Sequence, residues 1–270
     1  MRKFNTIAEY VSYLDTTPYN TKFKYRSATD VSEHRTEFTE TASYEDAQGL
    51  LENGDKKIAK KLQDKNGSVG QNIKNLVAGL ISKRKRDIVG SIPNVAAFLN
   101  GNPRNMIRKT RVKTETKVIN LVYLNQIHCT VNGDDMIEAG TNMLYCLQEL
   151  ERAGYRVNLY IGQTTWVTSR KQKAWGYVVN VKSSGQYINI EKLAYLMANP
   201  SVYRRHGFHM MEIEKDAVFD SGYGFKLDDH KIINDMLQSV NITNATVLTF
   251  YDVDGKTAKE TCDMVTGNKK

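Results

Sequence analysis

Cysteine is scarce: Cys129, Cys146 and Cys262 are three among 270 residues, an odd and widely spaced set. It suits reduced thiols in a cytosol and offers no disulfide framework. No stretch approaches the roughly 18 consecutive apolar residues of a membrane span, which excludes one. The opening Met1-Arg2-Lys3-Phe4-Asn5 carries no apolar run, so a secretory signal is not expected. Gly-x-x-x-x-Gly-Lys-Ser/Thr, Gly-x-Ser-x-Gly and Cys-x-x-Cys are all absent, which disfavours a well-marked kinase, hydrolase or dehydrogenase. No repeat of roughly 20–50 residues is present, so a solenoid is not indicated.

What is present is a globular composition, 40% hydrophobic and 25% charged, with enough chain for one large or two small domains. The net charge of +8 is unevenly laid out. Residues 1–55 hold 6 Lys/Arg against 10 Asp/Glu, residues 56–117 hold 16 against 3, and residues 118–270 hold 16 against 17. One segment therefore carries more than the whole excess. Its cations cluster at Lys56-Lys57, Lys60-Lys61, Lys83-Arg84-Lys85-Arg86, Arg104, and Arg108-Lys109-Thr110-Arg111-Val112-Lys113. Such a concentration raises the local potential and draws in polyanions, with strong salt dependence when phosphates are the target. The plain alternative is a solvated basic surface that only keeps the protein soluble.

The periodicity predicts a short helix over 5–14, capped by Asn5, with Ile7, Tyr10, Val11 and Leu14 on one face. Ser43 with Asp46 is placed to open a second helix that stops at Asn53-Gly54. Helical patterns follow over 55–63 and Val69–Ile81, which puts the basic run 83–86 at a helix C-terminus. Residues 92–103 read as a turn, a short helix packed through Val95, Phe98 and Leu99, and a second turn. From Lys117 the pattern becomes β-rich: residues 117–125, a helix over about 135–153, then a strand over 156–162, a βαβ unit. A third strand over 177–182, a helix from Asn189 interrupted at Asn199-Pro200, a helical piece over 201–211, a helix over 229–240 and a last strand over 246–251 complete it. The expected organisation is an N-terminal helical or extended segment (1–55), a basic helical region (56–116), an α/β domain (117–255) and a loose polar tail (256–270). The fold class is α/β, a Rossmann-like or von Willebrand A-like mainly parallel sheet flanked by helices.

Ligands of open α/β sheets bind beyond the carboxyl ends of the strands. After the first strand of this domain stand Asn125, Ile127 and Cys129, with His128 beside them. The position resembles the metal-dependent adhesion site of von Willebrand factor A-like domains, where Asp-x-Ser-x-Ser would hold a divalent cation. One amide, one alkyl group and one thiol do not suit a hard cation, so no metal and no cofactor is expected. Adjacent His128 and Cys129 would point to opposite faces of an extended segment and would not share a proton. Asp134-Asp135 are read as a helix cap. His206 and His209 with Glu212 could bind zinc on one helical face, but they lack the His-Glu-x-x-His pattern and read as a packed helix with solvent-tipped histidines. Arg204-Arg205 could clamp a phosphate, or form a salt bridge to Glu191 or Glu212. Gly222-Tyr223-Gly224 is too short for a dinucleotide fingerprint.

Three stretches carry a family resemblance: residues 38–47 (FTETASYEDA), Ile92-Pro93-Asn94-Val95 with residues 98–106 (FLNGNPRNM), and residues 198–208 (ANPSVYRRHGF). Together they resemble a family of uncharacterised proteins encoded by tailed phages and prophages. The resemblance implies a viral origin and expression in the bacterial host cytoplasm, and it transfers no functional residue.

The leading expectation is a non-catalytic protein that binds nucleic acid or another polyanion through Lys60, Lys61, Lys83, Arg84, Lys85, Arg86, Arg104, Arg108, Lys109 and Arg111, helped by Arg204 and Arg205. Backbone contacts of this kind carry little sequence specificity. The alternatives are a virion or assembly component whose basic region faces packaged DNA or another phage protein, and an unrecognised phosphate-handling enzyme at the strand C-terminal edge. No membrane partner is expected.

Overall fold

The computed structural model describes residues 1–61, 82–111, 117–128, 130–215, 219 and 222–267. The predicted helix over Val69–Ile81 and the thiol of Cys129 lie outside them. The chain opens with β1 (Arg2–Phe4) and α1 (Ile7–Thr16). Thr6, not Asn5, caps α1, its side chain accepting from the Glu9 amide. The helix buries Tyr10 and Leu14 as its periodicity requires. After α2 (Glu33–Thr39), α3 (Tyr44–Asn53) begins in a full capping box between Ser43 and Asp46 and ends at Gly54, where φ is +88°. Residues 56–61 are helical and bury Ile58 and Ala59.

Over residues 82–111 the basic region departs from the expectation of helix. Residues Ser82–Asp87 form β2, Ile92–Pro93 β3 and Met106–Arg111 β4, with the short α4 (Val95–Leu99) between β3 and β4. They make a separate antiparallel sheet in the order β2-β4-β3. Lysine and arginine are good helix formers, but the propensity is worth only tenths of a kcal/mol per residue (roughly 0.7 at most) and strand pairing overrides it. Nor is α4 packed through Val95, Phe98 and Leu99: those three are exposed, and Ala97 is the buried residue.

β5 (Val118–Leu124), α5 (Gly133–Arg152) and β6 (Arg156–Trp166) follow, with β5 and β6 parallel. Asn132 caps α5, and Asp134 and Asp135 occupy its first turn rather than the cap. β7 (Ala174–Lys182) returns antiparallel beside β6, and β1 adds in parallel to its far side. The first residues are thus a strand of the main sheet. Next come α6 (Ile190–Ala198), a π-helical turn over Val202–Gly207, α7 (Phe208–Ile213), β8 (Phe225–Lys226) and α8 (His230–Gln238). β9 (Ala245–Thr249) runs parallel to β5, shorter than expected because Phe250–Val253 turn into a helix, α9. The C-terminal stretch is not loose: Ala258–Thr266 form α10, with Ala258, Thr261 and Val265 buried.

The main sheet has the order β1-β7-β6-β5-β9, with β8 pairing the end of β6, and is mixed but mainly parallel. Alternation along β5 sends Leu121 and Tyr123 to one face and Val122 and Leu124 to the other, and all four are buried. The first face packs on α5 and α6 through Met143, Leu144, Leu147 and Leu196, and the second on α8 through Ile233 and Leu237. Gly140 lets α5 approach α6, since a Cβ there would lie 2.2 Å from the Met197 carbonyl oxygen. Cys146, buried, and Cys262 are free thiols. Among the described residues no helix is long and apolar enough to cross a membrane.

Candidate functional site

Two places draw together the residues that the sequence singled out. The first is the β2–β4 ribbon. Its register sets Lys83 opposite Thr110, Arg84 opposite Lys109, Lys85 opposite Arg108 and Ser82 opposite Arg111. Cations distant in sequence thereby become cross-strand neighbours, and like charges directly opposite destabilise a pair unless something offsets them. Arg108 finds a partial offset in Asp87, 3.8 Å away. Lys85, Arg86, Arg104 and Arg108 are exposed, as are Lys60 and Lys61 on the helical segment 56–61. Beside the ribbon, Ile88, Val89, Val95, Phe98 and Leu99 leave apolar side chains in solvent, Leu99 at 76%.

Arg204 and Arg205 do not belong to this surface. They are 1% and 0% exposed, and their guanidinium groups are spent on the chain itself. Arg205 donates to the carbonyls of Ala28 (2.8 Å), Asp30 (3.0 Å) and Thr41 (2.8 Å) and to the Thr41 hydroxyl (2.8 Å). Arg204 donates to the carbonyls of Phe38 (2.7 Å) and Val131 (2.6 Å), with its Cζ 3.7 Å above the Phe38 ring. Neither expectation for them holds, phosphate clamp or salt bridge to Glu191 or Glu212. They are ties that fasten residues 28–41 across the π-helical turn.

The same turn explains the histidines. His206 and His209 are buried rather than solvent-tipped. His206 shares a proton contact with the Tyr44 hydroxyl (3.4 Å), and His209 Nε2 lies 3.2 Å from the Leu14 carbonyl. Burial pulls the His206 imidazole down to a pKa of about 4, so it is neutral near pH 7. Glu212 accepts from the Ala28 amide (3.0 Å) and the Tyr223 hydroxyl (2.6 Å). Burial first, and this carboxylate second, hold the Tyr223 phenol well above its ordinary value. Among the described residues no group of three His, Cys, Asp or Glu is arranged to hold a metal ion.

The second place is a cleft of about 380 Å³ over the carboxyl end of β5. Gln126 and Ile127 after β5, Thr164 and Thr165 in β6, and Tyr251 after β9 form its base and one side. Phe208, Met211 and Tyr223 form the other, with Phe38 on the rim. Each polar side chain of the floor has a partner: Gln126 Nε2 donates to the Leu227 carbonyl (2.9 Å), its Oε1 accepts from the Thr164 amide and hydroxyl, and Thr165 donates to the Phe225 carbonyl (2.8 Å). The Phe208 and Tyr223 rings stack 3.8 Å apart at 10°. His128 and Lys226 stand exposed at the mouth, with Lys226 Nζ 4.0 Å from the Tyr251 ring centroid and 2.9 Å from Asp228. Sequence reasoning pointed to this edge through the position after β5, but passed over Gly222-Tyr223-Gly224. Both glycines have positive φ, and a Cβ on Gly224 would lie 2.2 Å from Thr165 Oγ1. Only glycine lets that loop press its tyrosine into the cleft wall.

A family model described as "Domain of unknown function (DUF7192)" matches residues 1–268. No curated protein and no solved structure matches the chain.

Proposed function

The chain belongs to the DUF7192 family over nearly its whole length, and from that premise we propose that it binds nucleic acid or a similar polyanion, without catalysis, through the β2–β4 ribbon. The observation that carries this reading is the register that sets Lys85 against Arg108 and Arg84 against Lys109. A two-stranded antiparallel ribbon fits the DNA major groove, about 12 Å wide, and cations along both strands neutralise phosphates on either side of it. Lys60, Lys61 and Arg104 add exposed charge; Arg204 and Arg205 add none. The contacts are to the backbone, so affinity falls steeply with salt and depends little on sequence.

The order β7-β6-β5-β9, with the first strand of the domain inside and the chain leaving it to both sides, supports the Rossmann-like or von Willebrand A-like reading of the fold. The phage provenance implied by the three matching stretches fits a partner such as packaged or replicating DNA. The exposed Val95, Phe98 and Leu99 favour a second reading, an assembly component that also touches a protein, whose check is mass spectrometry of purified particles.

A mobility-shift titration with short duplex and single-stranded DNA at low and rising salt tests the main reading. The expected result is a shift at low salt that is lost between about 50 and 200 mM salt for both sequences of an unrelated pair. Unchanged mobility at low salt overturns it.

A further inference from the structure

The strand-edge cleft is independent of the ribbon, and its chemistry narrows what it can hold. Most of its lining is apolar, through Phe38, Ile127, Tyr203, Phe208, Met211 and Phe225, and the polar side chains of its floor, Gln126, Thr164 and Thr165, already bond one another and the backbone of residues 225 and 227. A ligand with a mainly apolar body suits such a lining, since each polar group buried against it without a partner costs about 1–3 kcal/mol by protein mutational measures. The walls are rings: Phe208 and Tyr223 stacked on each other, and Tyr203 edge-on to Phe208 at 5.3 Å. Aromatic walls favour a flat, polarizable body over a branched aliphatic one, and such a body meets the outer side of the Phe208–Tyr223 stack rather than entering it. The mouth carries Lys226 and His128; Lys226 bonds the Asp228 carboxylate at 2.9 Å, an exposed pair worth little, with which a ligand anion competes.

Size sets a further limit. A volume of about 380 Å³ is at the lower end of small-molecule sites, roughly 300–1,000 Å³, and suits a single ring system with a short substituent rather than a dinucleotide. The cleft is also built rather than incidental. Gly224 is held against Thr165 so closely that no side chain fits there, and the Tyr223 hydroxyl is anchored from behind by Glu212 and the Ser27 amide. That anchoring fixes the ring as a wall and removes its hydroxyl from ligand recognition.

We propose that this cleft binds a flat aromatic ring system bearing one anionic group, the ring against Phe208 and Tyr223 and the anion at Lys226 and His128. Two sources share that chemistry, a nucleoside monophosphate and an aromatic carboxylate, and the test separates them. The full chain, labelled at isoleucine and methionine methyls, is titrated with adenosine monophosphate, indole-3-acetate, adenosine and inorganic phosphate in turn. At least one of the two anion-bearing aromatics gives saturable shifts at the Ile127 and Met211 methyls, while Ile58, in the core, stays still. Whichever of the two binds more tightly identifies the source. Lys226→Ala weakens that binding roughly tenfold, the equivalent of about 1.4 kcal/mol, and leaves the melting temperature unchanged because the side chain is exposed. Three results overturn the proposal: no saturation by either compound at roughly 5 mM, in the weak millimolar range; equal binding of adenosine and its monophosphate together with indifference to Lys226→Ala; or shifts confined to Ile107 and Met106 of the ribbon. The ribbon reading survives any of these, since it predicts nothing about Ile127 or Met211.

Discussion

The main sheet and the β2–β4 ribbon solve opposite problems with the same element. β5 lies between two strands and beneath helices on both faces, so its sequence is nearly all apolar and its polar backbone is consumed by neighbours. The ribbon is a small separate sheet rich in lysine and arginine, with Lys85, Arg86 and Arg108 exposed. The comparison is sharpest between arginines. Arg205 is sealed in the interior and each of its nitrogens reaches an oxygen of the chain, whereas Arg108 lies in solvent beside a single partly exposed aspartate. Arginine in this protein is therefore a structural tie in one region and an exposed charge in the other.

Breaking that contrast should produce its largest effect at Arg205. Arg205→Ala leaves the buried Ala28 carbonyl without its guanidinium donor and the Thr41 carbonyl with only the Thr39 hydroxyl, and charged hydrogen bonds are worth about 1.5–3 kcal/mol each, so a loss of about 3 kcal/mol or more is expected in urea unfolding. A loss under about 0.5 kcal/mol, the range of ordinary surface changes, would mean that the guanidinium is not a structural tie.

The next effect concerns pH. His206 is neutral when folded, with its pKa near 4 against an ordinary 6.5, so the unfolded chain binds the extra proton between those values. Its contribution is fully present above about pH 6.5 and is lost as pH falls toward 4, a change of about 3 kcal/mol at most. His206→Gln should flatten this acid limb in a series of thermal melts from pH 7 to 4.5. An equally steep limb in the variant would assign the acid sensitivity to other groups.

The contrast also governs what could be read from the chain. Residues 118–124 and 156–162 announced strands because burial on both faces demands a run of apolar and β-branched side chains, and the Ser43–Asp46 box announced α3 because capping is a local exchange of hydrogen bonds. The ribbon gave no such signal: Lys83-Arg84-Lys85-Arg86 has no apolar alternation, and its pairing with Arg108 and Lys109 is a long-range fact. The segment's charge, however, was plain. Likewise Arg204 and Arg205 looked like surface cations because nothing in the local sequence shows that residues 28–41 fold over them. The cleft was half legible: the strand-edge rule located its floor at Gln126 and Ile127, but its far wall depends on two glycines whose purpose is visible only against Thr165. The C-terminal α10 escaped notice because Ala258, Cys262 and Val265 are small, weakly apolar side chains set among lysine, threonine and acidic residues.

The smallest change in stability should accompany the most informative change in binding. Lys85→Ala combined with Arg108→Ala removes one cross-strand cation pair from the ribbon, and an exposed site of this kind should alter unfolding by no more than about 0.5 kcal/mol. Measured by fluorescence anisotropy on duplex DNA, the slope of log affinity against log salt should fall in magnitude by about 2 relative to the unaltered chain, about one for each phosphate contact removed. An identical slope in a folded double variant would contradict the claim that this ribbon is the polyanion-binding surface.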